Sequence, residues 1–284
     1  MILVAGGDSF IYGSELKDQL LEHSMSTYPA LLAKQYNMEY VCAAWSGNAN
    51  NAISRMVIST CEQLKEKKEK ITAIVTWTFV NRYEFRFNYN TRQKNSPWYS
   101  INAWSVLDDT DQIEQEFKLK NDLILNFQKK HINTTKQTGI ADFAKVFFKH
   151  VGNSEYYELY SSLKEILFLQ LYFTQNSIPY LFVPADNVFF QHPNFFRQQD
   201  VYLDTLYKQI DWDKWFFFDP GSKPNETPHP RGFYQWAAEN KYQMGTTHPL
   251  EEAHTAAAEL IKEKFNELVT KPVEQSSIRN KISS

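Results

Sequence analysis

The chain has 284 residues, of which 43% are hydrophobic and 22% are charged, so it is long enough to bury one large core. Its formal net charge of -3 disfavours nucleic-acid binding driven by phosphate neutralisation. The first apolar run is only a strand's length, so we expect no signal peptide, no membrane span, and a location in the cytoplasm or in a virion.

Strand-like and helical patterns alternate along the chain. Strands are predicted at residues 2–5, 40–45, 71–78, 179–184 and 215–219, and helices at 27–35, 51–68, 155–175 and 249–268. This alternation is typical of an α/β fold with right-handed crossovers and a mainly parallel sheet. We expect one domain over residues 1–270, followed by a disordered tail over residues 271–284, where aliphatic residues are few.

Residues 81–152 break this alternation. The segment is rich in Asn, Gln, Lys and aromatic residues, and it has no clear sheet periodicity. A stretch of this length is not expected to be a bare loop in a compact domain. We therefore predict a helical or irregular insertion after the third strand, placed near the carboxyl edge of the sheet as a candidate lid.

Two residues near opposite ends of the chain have the chemistry of a nucleophile and its base. Ser9 follows the first strand in Gly7-Asp8-Ser9, and His248 lies in Thr247-His248-Pro249, where a helical pattern begins. Open α/β sheets bind ligands beyond the carboxyl ends of their strands, which is where Ser9 is expected. A hydroxyl and an imidazole brought together by folding form a nucleophile and its general base. No metal-ligand spacing is present, and Cys42 and Cys61 are isolated, which favours a reducing compartment.

Three segments carry a resemblance to a known family. Gly7-Asp8-Ser9, Ala44-Trp45-Ser46-Gly47-Asn48 and Thr247-His248-Pro249 resemble, in order, the opening motif, the glycine block and the final histidine block of the SGNH (GDSL-type) hydrolases. The resemblance implies a flavodoxin-like three-layer sandwich and a serine ester hydrolase with a Ser9–His248 dyad, which requires no cofactor. It also implies an oxyanion hole made by the N–H groups of Ser9 and Gly47. The substrate would be a small-molecule or glycan ester, and the oligomeric state is left open.

The chain departs from the family pattern at two places. The family has an Asp three residues before the histidine, where this chain has Gly245. A backbone carbonyl, Asp186 or Asp219 would then orient the imidazole. The family also has an Asn after its third strand, where Thr78 stands here. Thr78 or an asparagine would supply the remaining oxyanion donor; the candidate asparagines are Asn48, Asn50 and Asn81.

Each of these residues also has a structural interpretation. Ser9 is a candidate helix cap, Asp8 is expected to bond backbone N–H groups in the turn, and Asn50 or Asn51 is a candidate N-cap. His254 is expected to pack or to lie at the surface. Further candidate bases are His192 and His229.

A rival hypothesis belongs to a different functional class. The missing Asp and the substituted Asn both favour a binding or assembly protein, such as a virion component, on a degenerate hydrolase scaffold. Fold alone does not establish chemistry.

Overall fold

The computed structural model describes residues 1–20, 22–88, 96–106, 138–187, 190, 200–219 and 230–270. Its helices and strands, in chain order, are β1 Ile2–Gly7, α1 Ser9–Tyr12, α2 Tyr28–Gln35, β2 Glu39–Ala44, α3 Asn50–Glu66, β3 Ile71–Trp77, β4 Tyr83–Arg86, β5 Trp98–Ile101, α4 Ile140–Phe147, α5 Glu155–Gln175, β6 Tyr180–Pro184, α6 Val201–Lys208, α7 Phe233–Glu239 and α8 Glu251–Thr270. The predicted tail at 271–284, and also His192 and His229, lie outside the described residues.

Four parallel strands form the central sheet in the order β2-β1-β3-β6. Every residue of β1, β3 and β6 is buried, as expected of strands covered on both faces. The predicted strand at 215–219 contributes a single parallel bridge, between Trp215 and Phe182. With that bridge in the fifth position, the strand order is that of a flavodoxin-like sheet.

Alternate residues of each strand face two different helical layers. Ile2 and Val4 of β1 pack in a cluster with α3, α5 and α6. Leu3 and Ala5, from the other face of the same strand, pack with α1, α2, α7 and α8. The two clusters give the predicted α/β three-layer sandwich.

The insertion after β3, predicted to be helical or irregular, also contains two strands. β4 and β5 pair as an antiparallel hairpin, and this hairpin packs against α4 in a third apolar cluster. Tyr83, Tyr99 and Ile101 supply the buried face of the hairpin. Each strand has only four residues, which is too short for alternation to stand out in an aromatic-rich sequence.

The hairpin lies against the N-terminal end of α3, at the carboxyl edge of the sheet. The Ala49 N–H donates to Ser100 Oγ at 3.2 Å, and the Asn51 side chain bonds the backbone of Glu84 in both directions. This part of the insertion is therefore next to the turn that follows β2. No helix among the described residues has both the length and the apolar character needed to cross a membrane.

Candidate active site

The turn after β1 places Ser9 at the carboxyl edge of the sheet. β1 continues through Gly7, and Asp8 then caps α1 by accepting the N–H of Phe10 at 3.0 Å. Ser9 is the first helical residue, so the structure rules out the interpretation of Ser9 as the cap and agrees with the structural role expected of Asp8. A Cβ at Gly7 would lie 2.5 Å from Cγ1 of Ile11, so a side chain there would push α1 away.

His248 lies in the short loop that leads into α8. The Gly245 N–H donates to the His248 carbonyl at 2.8 Å, which closes the loop. The Nε2 atom of His248 is 2.8 Å from Ser9 Oγ, although 239 positions separate the two residues in the chain. The Phe10 ring packs edge-on against the imidazole, with ring centroids 5.0 Å apart. The structure thus brings together the two residues predicted as nucleophile and base.

The carboxylate behind the imidazole belongs to Glu15. Its Oε2 lies 3.3 Å from His248 Nδ1 and also accepts the backbone N–H groups of Thr247 and His248, each at 3.1 Å. The Thr247 hydroxyl lies 2.9 Å from the same Nδ1. Burial raises the pKa of the Glu15 carboxyl, but the hydrogen bonds from the His248 side chain and the Thr247 N–H outweigh burial and lower that pKa below its ordinary value.

The two carboxylates predicted for this place are engaged elsewhere. Asp219 accepts the Arg231 N–H at 2.8 Å and pairs with the Arg231 guanidinium at 2.8 Å. Asp186 accepts the Gln235 amide at 3.1 Å. Sequence reasoning missed Glu15 because the family pattern directs attention to position 245. The sequence carries one signal, an acidic residue that comes shortly after Ser9 and two positions past Gly13. Gly13, with its left-handed φ of 79°, is the residue at which α1 ends.

Two backbone N–H groups in the turns after β1 and β2 have no acceptor among the described residues. Within the described part of the chain, neither the Ser9 N–H nor the Gly47 N–H makes a hydrogen bond. Gly47 has a φ of 82°, and a Cβ built there would meet no atom within 4 Å. Glycine is therefore needed at position 47 for its backbone conformation rather than for space. The Ser14–Ser46 hydroxyl contact, at 2.7 Å, ties the turn after β2 to the end of α1.

The side chains proposed as a third oxyanion donor are already hydrogen-bonded. Thr78 donates its hydroxyl hydrogen to Asp8 Oδ2 at 2.5 Å. The Asn50 amide donates to the Thr78 carbonyl at 3.3 Å and to Ser162 Oγ at 3.1 Å. The Asn48 amide donates to the Gly7 carbonyl at 3.0 Å, whereas Asn81 is exposed. Thr78 and Asn50 thus differ from the expected arrangement, because packing β3 against α3 buries polar groups that must be satisfied locally.

The N-cap of α3 also differs from expectation. Ala49 is the N-cap residue, and Asn50 and Asn51 both lie inside the helix. Their side chains instead cross to β3 and to the hairpin, where backbone groups need partners.

Arg82 completes a buried cluster directly behind the nucleophile turn. Its guanidinium donates to Asp8 Oδ2 at 2.9 Å and to Thr78 Oγ1 at 3.1 Å. Burial lowers the pKa of Arg82, while the nearby Asp8 carboxylate favours the charged form. The buried Asp8 carboxylate next to Ser9 thereby has its charge balanced within the protein.

His254 packs in the interior, as one of its two expected placements. Its Nδ1 accepts the Tyr28 N–H at 3.2 Å, so it docks α8 onto the N-terminus of α2. Burial and, to a lesser extent, the neighbouring His248 together lower the pKa of His254 to about 3. In the described residues, no group of three or more His, Cys, Asp or Glu side chains is arranged to hold a metal ion.

Comparison with solved structures finds several chains of similar structure. The chain is similar to the crystal structure of the psychrotrophic esterase EstA from Pseudoalteromonas sp., which is described as inhibited by monoethylphosphonate. The two share 9% sequence identity with a TM-score of 0.42, over 95% of this chain and 99% of that one. No protein-family model matches the chain, and no curated protein sequence matches it.

Proposed function

We propose that the chain is a serine ester hydrolase of SGNH type, with Ser9 as nucleophile and His248 as general base. The observation that carries the proposal is the 2.8 Å separation between Ser9 Oγ and His248 Nε2. This distance lies within the range over which a base removes a hydroxyl proton. The arrangement also favours an enzyme over the rival binding scaffold, since a scaffold needs no such pairing.

The first half of the reaction forms an acyl-enzyme. Ser9 Oγ attacks the ester carbonyl carbon as its proton passes to His248 Nε2, and the carbonyl π electrons move onto the oxygen. When the tetrahedral intermediate collapses, the C–O bond to the alcohol breaks and Nε2 returns the proton to the departing oxygen. Ser9 then carries the acyl group as an ester.

Water completes the reaction in a second half. His248 Nε2 takes a proton from a water molecule whose oxygen attacks the acyl carbon. The same nitrogen then protonates Ser9 Oγ as the acyl–serine bond breaks, and the carboxylic acid leaves. The free N–H groups of Ser9 and Gly47 are the proposed donors to the oxyanion in both halves.

The proposed substrate class is an ester of a small acyl group, including acyl groups on carbohydrate. Aromatic side chains near the site support this choice, since flat rings pack against sugar faces. The half-buried Trp45 lies two residues before Gly47 and packs edge-on against Tyr12, with ring centroids 4.7 Å apart. Tyr234, 36% exposed, packs against Phe10 beside the imidazole.

Replacing the nucleophile tests the proposal. We expect Ser9→Ala to reduce kcat on short-chain nitrophenyl and acetylated-sugar esters by about 10⁴-fold or more, since the nucleophilic oxygen is lost. Labelling by a fluorophosphonate probe should disappear in the same variant and in His248→Ala.

The matched control is Ser161→Ala, which removes a hydroxyl on α5 that bonds only the Glu158 carbonyl. This variant should turn over esters and take up the probe like the parent protein. Equal turnover by Ser9→Ala and the parent would overturn the proposal. A folded parent protein that neither labels nor turns over esters would instead support the binding scaffold.

A further inference from the structure

We infer that Glu15 is the positioning carboxylate of the site, and that position 245 is glycine because Glu15 occupies the space a side chain there would fill. The inference rests on the proposed function. It adds Glu15 as a positioning residue and an exchange of the carboxylate from position 245 to position 15. It accounts for the first departure from the family pattern, the absence of an Asp three residues before His248.

The hydrogen bonds around Glu15 fit this role. If Nε2 accepts the Ser9 proton, the ring hydrogen is on Nδ1, which lies 3.3 Å from Glu15 Oε2 and 2.9 Å from the Thr247 hydroxyl oxygen. The same oxygen accepts two backbone N–H groups of the loop, including that of His248 itself. One carboxylate oxygen thus fixes both the backbone and the ring of the base, and it stabilises the imidazolium that forms as Ser9 attacks.

Gly245 makes room for this carboxylate. A Cβ at position 245 would lie 2.3 Å from Glu15 Oε2, 3.0 Å from its Cδ and 3.3 Å from its Cβ. All three nearest atoms belong to Glu15. The φ of Gly245 is outside the left-handed region, so its backbone does not itself require glycine. Space for the Glu15 side chain is therefore what excludes a larger residue.

The backbone conformation of Glu15 fits the proposed exchange. Glu15 has a φ of 72°, in the left-handed region that glycine adopts without strain. Four other described non-glycine residues also have a positive φ, so what distinguishes Glu15 is the set of groups that its carboxylate contacts.

Exchanging the two residues tests the inference. We expect Glu15→Gly to lower kcat by about 10²-fold or more with little change in KM, since the imidazole loses its charge partner. Its melting temperature should change little, because relief of the Glu15 backbone strain offsets the loss of the hydrogen bonds that the carboxylate accepts from the Thr247 and His248 N–H groups. In the double variant Glu15→Gly with Gly245→Asp, the new carboxylate enters the vacated space, and kcat should recover by roughly tenfold or more over Glu15→Gly.

Two further variants separate positioning from a loop-holding role. Glu15→Gln keeps an acceptor oxygen for the loop N–H groups but removes the charge, so kcat should still fall while folding is unchanged. Gly245→Asp alone should also lose activity, because the two carboxylates overlap. Proton NMR of labelled histidine should detect a downfield Nδ1–H signal of His248 in the parent that is absent from Glu15→Gly.

The outcomes are distinguishable from those of the proposed function. If turnover depends on Ser9 and His248 while Glu15→Gly retains parent kcat, the hydrolase stands and the positioning role falls. If the parent has no turnover, the NMR signal decides: its loss in Glu15→Gly supports the contact, and its persistence overturns it. Failure of the exchange variant to recover any activity would overturn the spatial exchange between positions 15 and 245.

Discussion

The Asp8 carboxylate is the most constrained charged group near the proposed nucleophile. It is fully buried, and its donors are the Phe10 N–H, the Thr78 hydroxyl and the Arg82 guanidinium. These bonds join the end of β1 to the residue that follows β3. Because a buried carboxylate is costly without partners, each donor holds the turn that carries Ser9.

Thr78 provides a prediction at this scale. Thr78→Val removes one donor from Asp8, so we expect the free energy of unfolding to fall by about 1–3 kcal/mol. Its kcat should change by less than about tenfold, whereas loss of an oxyanion donor costs about 10²–10³-fold. Urea unfolding and ester kinetics measure the two effects.

Thr205→Val is the matched control, since the exposed Thr205 hydroxyl on α6 bonds, among the described residues, only the Val201 carbonyl. It should leave both quantities nearly unchanged. A loss of kcat in Thr78→Val as large as that of an oxyanion donor, with stability retained, would return Thr78 to the oxyanion role.

Ser9 and His248, which the structure brings together, could be singled out from the sequence because each follows an element boundary in a recognisable segment. Gly47 follows such a boundary too, and its oxyanion role stays a proposal. Glu15 could not be singled out in this way, because its approach to His248 depends on where two distant loops meet, and the segment after α1 carries no periodic pattern. Thr78 and Asn50 lie in segments where the family pattern led us to expect an oxyanion donor. The sequence does not show that buried neighbouring groups already accept the hydrogen bonds of these side chains.

At the scale of elements, long apolar patterns were reliable and short elements were not. The strands β1, β3 and β6 were predicted within a few residues as continuous apolar runs, and α3 and α5 were predicted from long helical patterns. The four-residue α1 and the β4–β5 hairpin were missed. Elements that short are defined by partners elsewhere in the chain, so their own sequence carries little signal.

The attachment of the hairpin to α3 provides an element-scale prediction. Arg55 binds Glu84 of β4 through two bonds, at 2.6 and 2.8 Å, and the Glu84 side chain is 5% exposed. Arg55→Met leaves that carboxylate without its charge partner, so we expect the free energy of unfolding to fall by about 1–3 kcal/mol. This is less than for a fully buried ion pair, because Arg55 is itself partly exposed.

The double variant Arg55→Met with Glu84→Gln is the control, since it removes both charges. Chemical denaturation should give it a smaller loss than Arg55→Met alone. Equal losses in the two variants would mean that the ion pair is not what couples the hairpin to the helix.

At the scale of the whole molecule, α8 closes the layer that α2 begins. His254 joins the two helices, and it is buried in its neutral form with Nδ1 accepting the Tyr28 N–H. The contact between α2 and α8 therefore depends on an imidazole whose lowered pKa keeps it neutral. Protonation of this ring would put a charge in the interior and a hydrogen against the Tyr28 donor.

His254 predicts how stability depends on pH. Its folded pKa of about 3 lies below the unfolded value of about 6.5, so the unfolded chain binds more protons between these limits. Stability is therefore lost as pH falls below about 6.5, and by pH 5 this group should have removed about 2 kcal/mol relative to pH 7. The lowered pKa of Glu15 adds a further loss below the ordinary range of a glutamate.

Urea midpoints measured at pH 7 and pH 5 check this dependence. In His254→Asn, an amide oxygen can accept the Tyr28 N–H without titrating, so the decline between the two pH values should be smaller than in the parent. Parallel declines in the two proteins would assign the acid sensitivity to other groups.

The position of His248 ahead of the final described helix has a consequence for biosynthesis. The ribosome makes Ser9 and Glu15 more than two hundred residues before it makes His248. The imidazole emerges only when residue 248 has left the exit tunnel. The proposed pairing of Ser9 with His248 therefore cannot form in a nascent chain before that point.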